Sequence, residues 1–135
     1  MPSAFWDDLA ADLDDPDFVR EYITESVRIA TIDAIVNALD EARTAAGLSK
    51  ADLARAIGVE PATVRRLFSA AGANPTLGTL AEVAAALGLR ITVEPLRHSD
   101  VEAVTTPLRT GRGTTRSMDR VRDLRRQGRM PPNAA

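Results

Sequence analysis

Arg65 and Arg66 stand side by side in a run whose other residues repeat apolar character every third or fourth position, Val64, Leu67 and Phe68. A guanidinium is a planar fork that donates to O6 and N7 of guanine together, which is worth about 1–3 kcal/mol of discrimination against a wrong base. That chemistry needs a helix that buries one side and leaves its arginines outside. At about 100° per residue, Val64, Leu67 and Phe68 share a face, while Ala62, Arg65, Arg66 and Ser69 point the other way. Ala62 and Thr63, near the helix start, are placed to touch a thymine methyl or a phosphate. Glu60 is the discordant residue: it repels phosphate unless it accepts from cytosine N4 or lies outside the contact.

The elements that must position this face are legible in Ser49–Ser69, SKADLARAIGVEPATVRRLFS, which reads as two short helices joined by a glycine turn. Ala54 falls four residues before Gly58, and Val64 and Leu67 follow Gly58 by six and nine. Helices that cross steeply need a small side chain at the crossing, here Ala54, and a residue tolerant of positive φ at the bend, here Gly58. Ser49 and Asp52 have the form of a capping box, so the first helix should begin at Lys50, with Leu53 and Ile57 inward. Pro61 suits the first position of the second helix, where its missing N–H is no loss.

On either side lie elements of a mainly α protein. Residues 1–15 are acidic, with Phe5, Trp6, Leu9 and Leu13 spaced for one side of a short helix. Asp15-Pro16 opens a longer helix over residues 16–46, whose apolar positions recur at three and four; Thr31 and Asp33 leave open whether it is one helix or two. AAGANP is a loop, and a helix with Leu77, Leu80, Val83, Ala84 and Leu87 on one side ends at Gly88. In LRITVE, residues 89–94, apolar Leu89, Ile91 and Val93 alternate with polar residues, the pattern of a half-buried strand. A lone strand leaves N–H and C=O groups unpaired along both edges, so its simplest partner is the same strand of a second copy, giving a homodimer. A strand from another protein, or residues 101–108 of the same chain, are the alternatives.

At 135 residues and 44% apolar, the chain should bury one modest core with arms around it, but hardly two cores. It has no cysteine, which excludes disulfides and thiol chemistry and fits a reducing cytosol. No stretch is long and apolar enough to span a membrane, and the first residues are acidic where a secretory leader is basic, so a soluble cytoplasmic protein is expected. The net charge of −2 conceals an asymmetry: residues 1–25 carry −7, residues 26–96 are balanced, and residues 97–135 carry +5. Affinity for DNA depends on where positive charge lies, so the acidic total does not exclude it.

Catalysis has little support. His98 is the only histidine, and its neighbours Ser99 and Asp100 are merely adjacent in sequence, without the fixed geometry of a triad. No histidine and carboxylate cluster has metal-ligand spacing, and no glycine-rich loop joins a strand to a helix, so neither metal nor cofactor is expected.

The runs GLSKADLARAIGVEPATVRRLFS and NPTLGTLAEVAAALGLRITVEP resemble the Xre-type helix-turn-helix domain of phage repressors, and more closely the HigA-like antitoxins and addiction-module antidote proteins. The resemblance covers roughly Ile32 to Pro95. It implies a five-helix, lambda-repressor-like DNA-binding domain over residues 31–96 with one C-terminal strand. An acidic N-terminal arm and helix, residues 1–30, and a basic flexible tail, residues 97–135, flank it. By the same resemblance Ala62, Thr63, Arg65 and Arg66 fall on the base-reading helix, while Ser49, Lys50 and Asn74 fall where phosphates are met. The function implied is a type II antitoxin that binds an inverted repeat in double-stranded DNA, represses its own operon and neutralises a HigB- or RelE-like RNA-cleaving toxin. A free-standing Xre-type regulator is the alternative.

The segment Asp15-Pro16 through Phe18, Tyr22 and Ile23 also resembles one in prophage-type antidote proteins, whereas the acidic leader and the Arg-rich tail depart from the compact family members and carry nothing over. Dense negative charge with Phe5, Trp6, Leu9, Phe18 and Tyr22 suits a segment that covers a basic partner such as that toxin, or one that folds back on its own chain. The tail is polar, Gly-containing and Arg-rich, and is expected to be disordered. Met118, Val121 and Leu124 offer a short apolar stripe if residues 117–127 become helical on binding, and Arg109, Arg112 and Arg116 suit phosphate contact.

Overall fold

The computed structural model describes residues 12–69 and 74–127. They form two compact units, one comprising Ile32–Glu94 and the other drawing on the chain before Ile32 and from Pro95 onward. This corrects the expectation of a single core with arms. Each unit closes over a small cluster of its own, and apolar residues at both ends of the chain supply the second cluster.

Helix α1, Pro16–Ala45, contributes to both units. Asp15 caps it, accepting from the Asp17 N–H at 3.0 Å, and Pro16 takes the first position. No Pro or Gly interrupts it, so the helix runs unbroken through Thr31 and Asp33. The central unit adds α2, Lys50–Ile57, α3, Pro61–Leu67, and α4, Leu77–Ala86. With one continuous α1, the described helices of this unit number four rather than the expected five. Its core joins Leu39, Leu53, Ala54, Val64, Leu67, Leu80, Val83 and Ala84, with Ile35, Ile57, Phe68 and Ile91 packed against them.

No strand forms at residues 89–94: among the described residues this segment has no regular structure. Alternation alone does not make a strand, because the ladder needs a second chain segment to hydrogen-bond with. Ile91 packs inward, whereas Leu89 is 43% exposed and Val93 96% exposed. The alternative pairing with residues 101–108 is also absent, since those residues are helical.

The second unit corrects the expectation of a disordered tail. After Pro95 come α5, His98–Asp100, a π-helical turn, Val101–Thr105, then α6, Thr106–Thr110, and α7, Thr115–Gln127. Met118, Val121 and Leu124 are fully buried with Val19, Ile23, Ala30, Ala103 and Val104. The stripe on α7 needs no foreign partner because the first half of α1 carries the matching face. Arg20 ties α1 to α6, donating to the Leu108 and Arg109 carbonyls at 3.0 and 3.2 Å.

Candidate nucleic-acid interface

The start of α2 is fixed by a reciprocal cap. The Asp52 N–H donates to Ser49 Oγ at 3.0 Å, and the Ser49 N–H donates to Asp52 Oδ2 at 2.9 Å. The bonds from Ser49 hold the Asp52 carboxyl below its ordinary pKa, with Arg55 at 2.9 Å as a lesser cause. The helix then buries Leu53 and Ala54 completely and stops at Gly58, whose φ of 72° lies in the left-handed region. In that conformation the Val59 N–H reaches back to the Ala54 carbonyl at 3.0 Å.

Two residues later Pro61 opens α3, with Glu60 exposed at its N-cap and making no side-chain capping bond. Val64 and Leu67 are buried in the core and Phe68 packs against it. On the other side Arg65 and Arg66 are exposed, and among the described residues neither guanidinium is held in an ion pair. Ala62 and Thr63 are half-buried and Ser69 is exposed, its hydroxyl donating to the Arg66 carbonyl at 2.8 Å. Two cations in the last turn also suit the partial negative charge of the helix end.

Of the residues assigned to phosphate, Ser49 and Asn74 are exposed and Lys50 is half-buried at the first position of α2. Ser49 already spends its hydroxyl on the cap, so its remaining capacity to bind an anion is that of the O–H donor. Ala54, Val64 and Leu67 are buried together where α2 and α3 pack, and Gly58 forms the bend between the two helices.

One residue that supports this face was missed in the sequence. Arg43, in the last turn of α1, pairs with Asp40 at 2.9 Å, donates to the Leu48 carbonyl at 2.8 Å and lies 5.7 Å from the Phe68 ring centroid. It ties the end of α1 to the loop before α2 and to the end of α3. The only sequence signal was a cation near a helix C-terminus, which is too common to single it out.

Of the proposed partner-binding residues, Phe5, Trp6 and Leu9 lie outside the described residues. Phe18 and Tyr22 are half-buried against the core of the second unit, their ring centroids 5.9 Å apart. His98, Ser99 and Asp100 are not assembled as a triad: His98 Nε2 meets Glu102 at 2.7 Å, and Asp100 is bound to Arg120. Among the described residues no three His, Cys, Asp or Glu side chains are grouped to hold a metal, and no helix is long and apolar enough to cross a membrane.

A small-residue crossing, a left-handed glycine and a second helix with its polar face outward define a helix-turn-helix. Residues 39–93, less than half of the chain, match a helix-turn-helix family, HTH_3. No curated protein and no solved structure matches the chain.

Proposed function

We propose that this protein is a sequence-specific DNA-binding transcriptional regulator in which α3 enters the major groove and Arg66 and Arg65 read guanine. The observation that carries the reading is the division of α3: Val64 and Leu67 sealed in the core, Arg65 and Arg66 exposed and without counter-ion among the described residues. Ala62 and Thr63 take the thymine-methyl or phosphate contacts, and Ser49, Lys50 and Asn74 the backbone. Two copies pair through residues 89–94, where Leu89 and Val93 stand exposed and the backbone N–H groups of residues 90–94 have no hydrogen bond among the described residues. Such a dimer presents two reading helices about 34 Å apart to an inverted repeat.

In its finer form the proposal makes the protein a cytoplasmic type II antitoxin, a binding protein rather than an enzyme, that represses its own operon and masks an RNA-cleaving toxin. One observation favours the free-standing regulator instead: Phe18 and Tyr22, two of the aromatics assigned to the toxin, are used in packing the protein's own second unit.

The experiment is fluorescence anisotropy with the DNA upstream of the gene and a scrambled duplex of equal length. Wild-type protein should prefer the upstream sequence, and Arg66→Ala should lose about tenfold or more on that sequence while scarcely changing on the scrambled one. Equal loss on both would make Arg66 a phosphate contact, and no preference by the wild type would sink the reading. A neighbouring gene for a small basic RNase that co-purifies with this chain decides for the antitoxin; its absence decides for the regulator.

A further inference from the structure

A groove of about 650 Å³ lies within the second unit, bounded by the π-helical turn and its flanking helices on one side and the start of α7 on the other. That is the size of a small-molecule site, about 300–1,000 Å³. One wall is the Val101–Thr105 turn, which contributes Glu102 and Ala103. The wider π turn gives up regular α-helical bonding and occurs frequently at functional sites.

The polar lining separates by chemistry. Arg116 is exposed and makes no ion pair among the described residues, whereas Arg120 is committed to buried Asp100. Opposite in charge stands Glu102, 67% exposed at its side chain and touched by His98 Nε2. Thr114 and Ser117 are occupied with each other, through bonds of 3.0 and 2.9 Å that cap α7. The Ser99 and Thr106 hydroxyls make no hydrogen bond among the described residues and remain available. No aromatic side chain lines the groove, so nothing there would stack a nucleobase.

We propose that this groove binds a small phosphorylated polyol of the sugar-phosphate class. The Arg116 fork matches phosphate oxygens in a charge-assisted, two-point contact. The Glu102 carboxylate accepts from ligand hydroxyls, and Ser99 and Thr106 donate to or accept from the remainder. A bare anion would gain from Arg116 but be repelled by Glu102; a neutral sugar would leave Arg116 unused. A ligand carrying both a phosphate and hydroxyls uses both residues. The site does not rest on DNA reading by α3, and a regulator that held such a ligand would have a metabolite sensor.

The test is calorimetry on the full chain, without DNA, using ribose 5-phosphate and glucose 6-phosphate as probes, with ribose, glucose and inorganic phosphate as their separate halves. At least one sugar phosphate should bind tenfold or more tightly than either of its halves. Arg116→Ala should weaken it tenfold or more, Glu102→Gln should narrow its advantage over inorganic phosphate, and Arg28→Ala, an exposed change on α1 outside the groove's lining, should leave it unaltered. Circular dichroism matching the wild type certifies that the variants are folded. Absence of binding by both probes, equal binding of inorganic phosphate alone, or unchanged affinity in Arg116→Ala each overturns the proposal. Displacement of the bound probe by a short random duplex also overturns it, in favour of a contact to DNA backbone.

Discussion

The Asp100 carboxylate is 1% exposed and accepts from Arg120 Nε at 2.8 Å, a pair formed between residues twenty apart in the chain. Asp100 stands at the start of the π-helical turn and Arg120 in the middle of α7, so the pair fastens the two walls of the second unit's groove. Burying a carboxylate is costly unless the charge is matched, and one guanidinium does the matching here.

Removing Arg120 should therefore leave a buried charge uncompensated. Arg120→Ala should destabilise by about 2–3 kcal/mol, below the 3–5 of a fully buried pair because the Arg120 side chain is 29% exposed. Asp100→Asn, which keeps an acceptor for Nε, should cost less. Urea denaturation gives both values, and an Arg120→Ala midpoint equal to wild type would contradict this account.

Two glycines in left-handed conformation should respond differently to alanine. At Gly58 a Cβ would meet nothing within 4 Å, so Gly58→Ala should cost only the backbone strain, about 1–2 kcal/mol. At Gly111 a Cβ would lie 2.7 Å from Pro16 Cβ, on a rigid ring, and 3.1 Å from Arg20 Cζ. Gly111→Ala should cost about 1–3 kcal/mol more through overpacking. Thermal unfolding of the two variants ranks them directly; the reverse order would contradict the packing at Gly111.

Ser26 is fully buried on α1 and its Oγ has no hydrogen-bond partner among the described residues. A desolvated hydroxyl without a partner is a net cost. Ser26→Ala should raise stability by up to about 1 kcal/mol, helped by alanine's better helix propensity. A loss of stability would show that the hydroxyl is satisfied.

The Arg43 clip predicts a graded loss. Arg43→Ala should cost about 1.5–3 kcal/mol, since it deletes a charge-assisted bond to the Leu48 carbonyl, the Asp40 pair and the contact with Phe68. Arg43→Lys should recover only part of it, because an ammonium cannot lie flat on the ring while reaching the carbonyl. Full recovery by lysine would reduce the clip to simple charge.

Tyr22 is the single tyrosine, so ultraviolet titration reports on it alone. Burial raises its phenol above the ordinary value near 10, with Arg125 and Arg122 opposing the shift. The midpoint in native protein should exceed that of the unfolded chain. A raised folded-state pKa contributes fully below the unfolded value and is lost as pH climbs through the folded one, so stability should decline above about pH 10. A native midpoint at or below the unfolded value would contradict burial as the dominant cause.

Local signals were read well where a few adjacent residues determine the outcome. The Ser49 and Asp52 box, the Gly58 bend, the Pro61 start and the two faces of α3 each follow from side chains within a turn or two, and the structure has them. The segment at residues 89–94 shows the limit of such reading. Its alternation determines which side chains turn inward, as Ile91 does, but a strand is a relation between two segments and the second is not written nearby. Arg43 escaped notice for the same reason, since its three partners are brought together only by folding.

The tail is the clearest division between the two kinds of information. From composition it lacked enough apolar surface to fold by itself, and that statement about an isolated segment stands. Met118, Val121 and Leu124 nonetheless spell a helical stripe in the sequence, and so do Val19 and Ile23 nearly one hundred residues earlier. Periodicity determined that each stripe exists, because it is a property of neighbouring residues. Only the tertiary structure decided that the two bury one another, because burial is shared between surfaces and the chain's ends had first to meet.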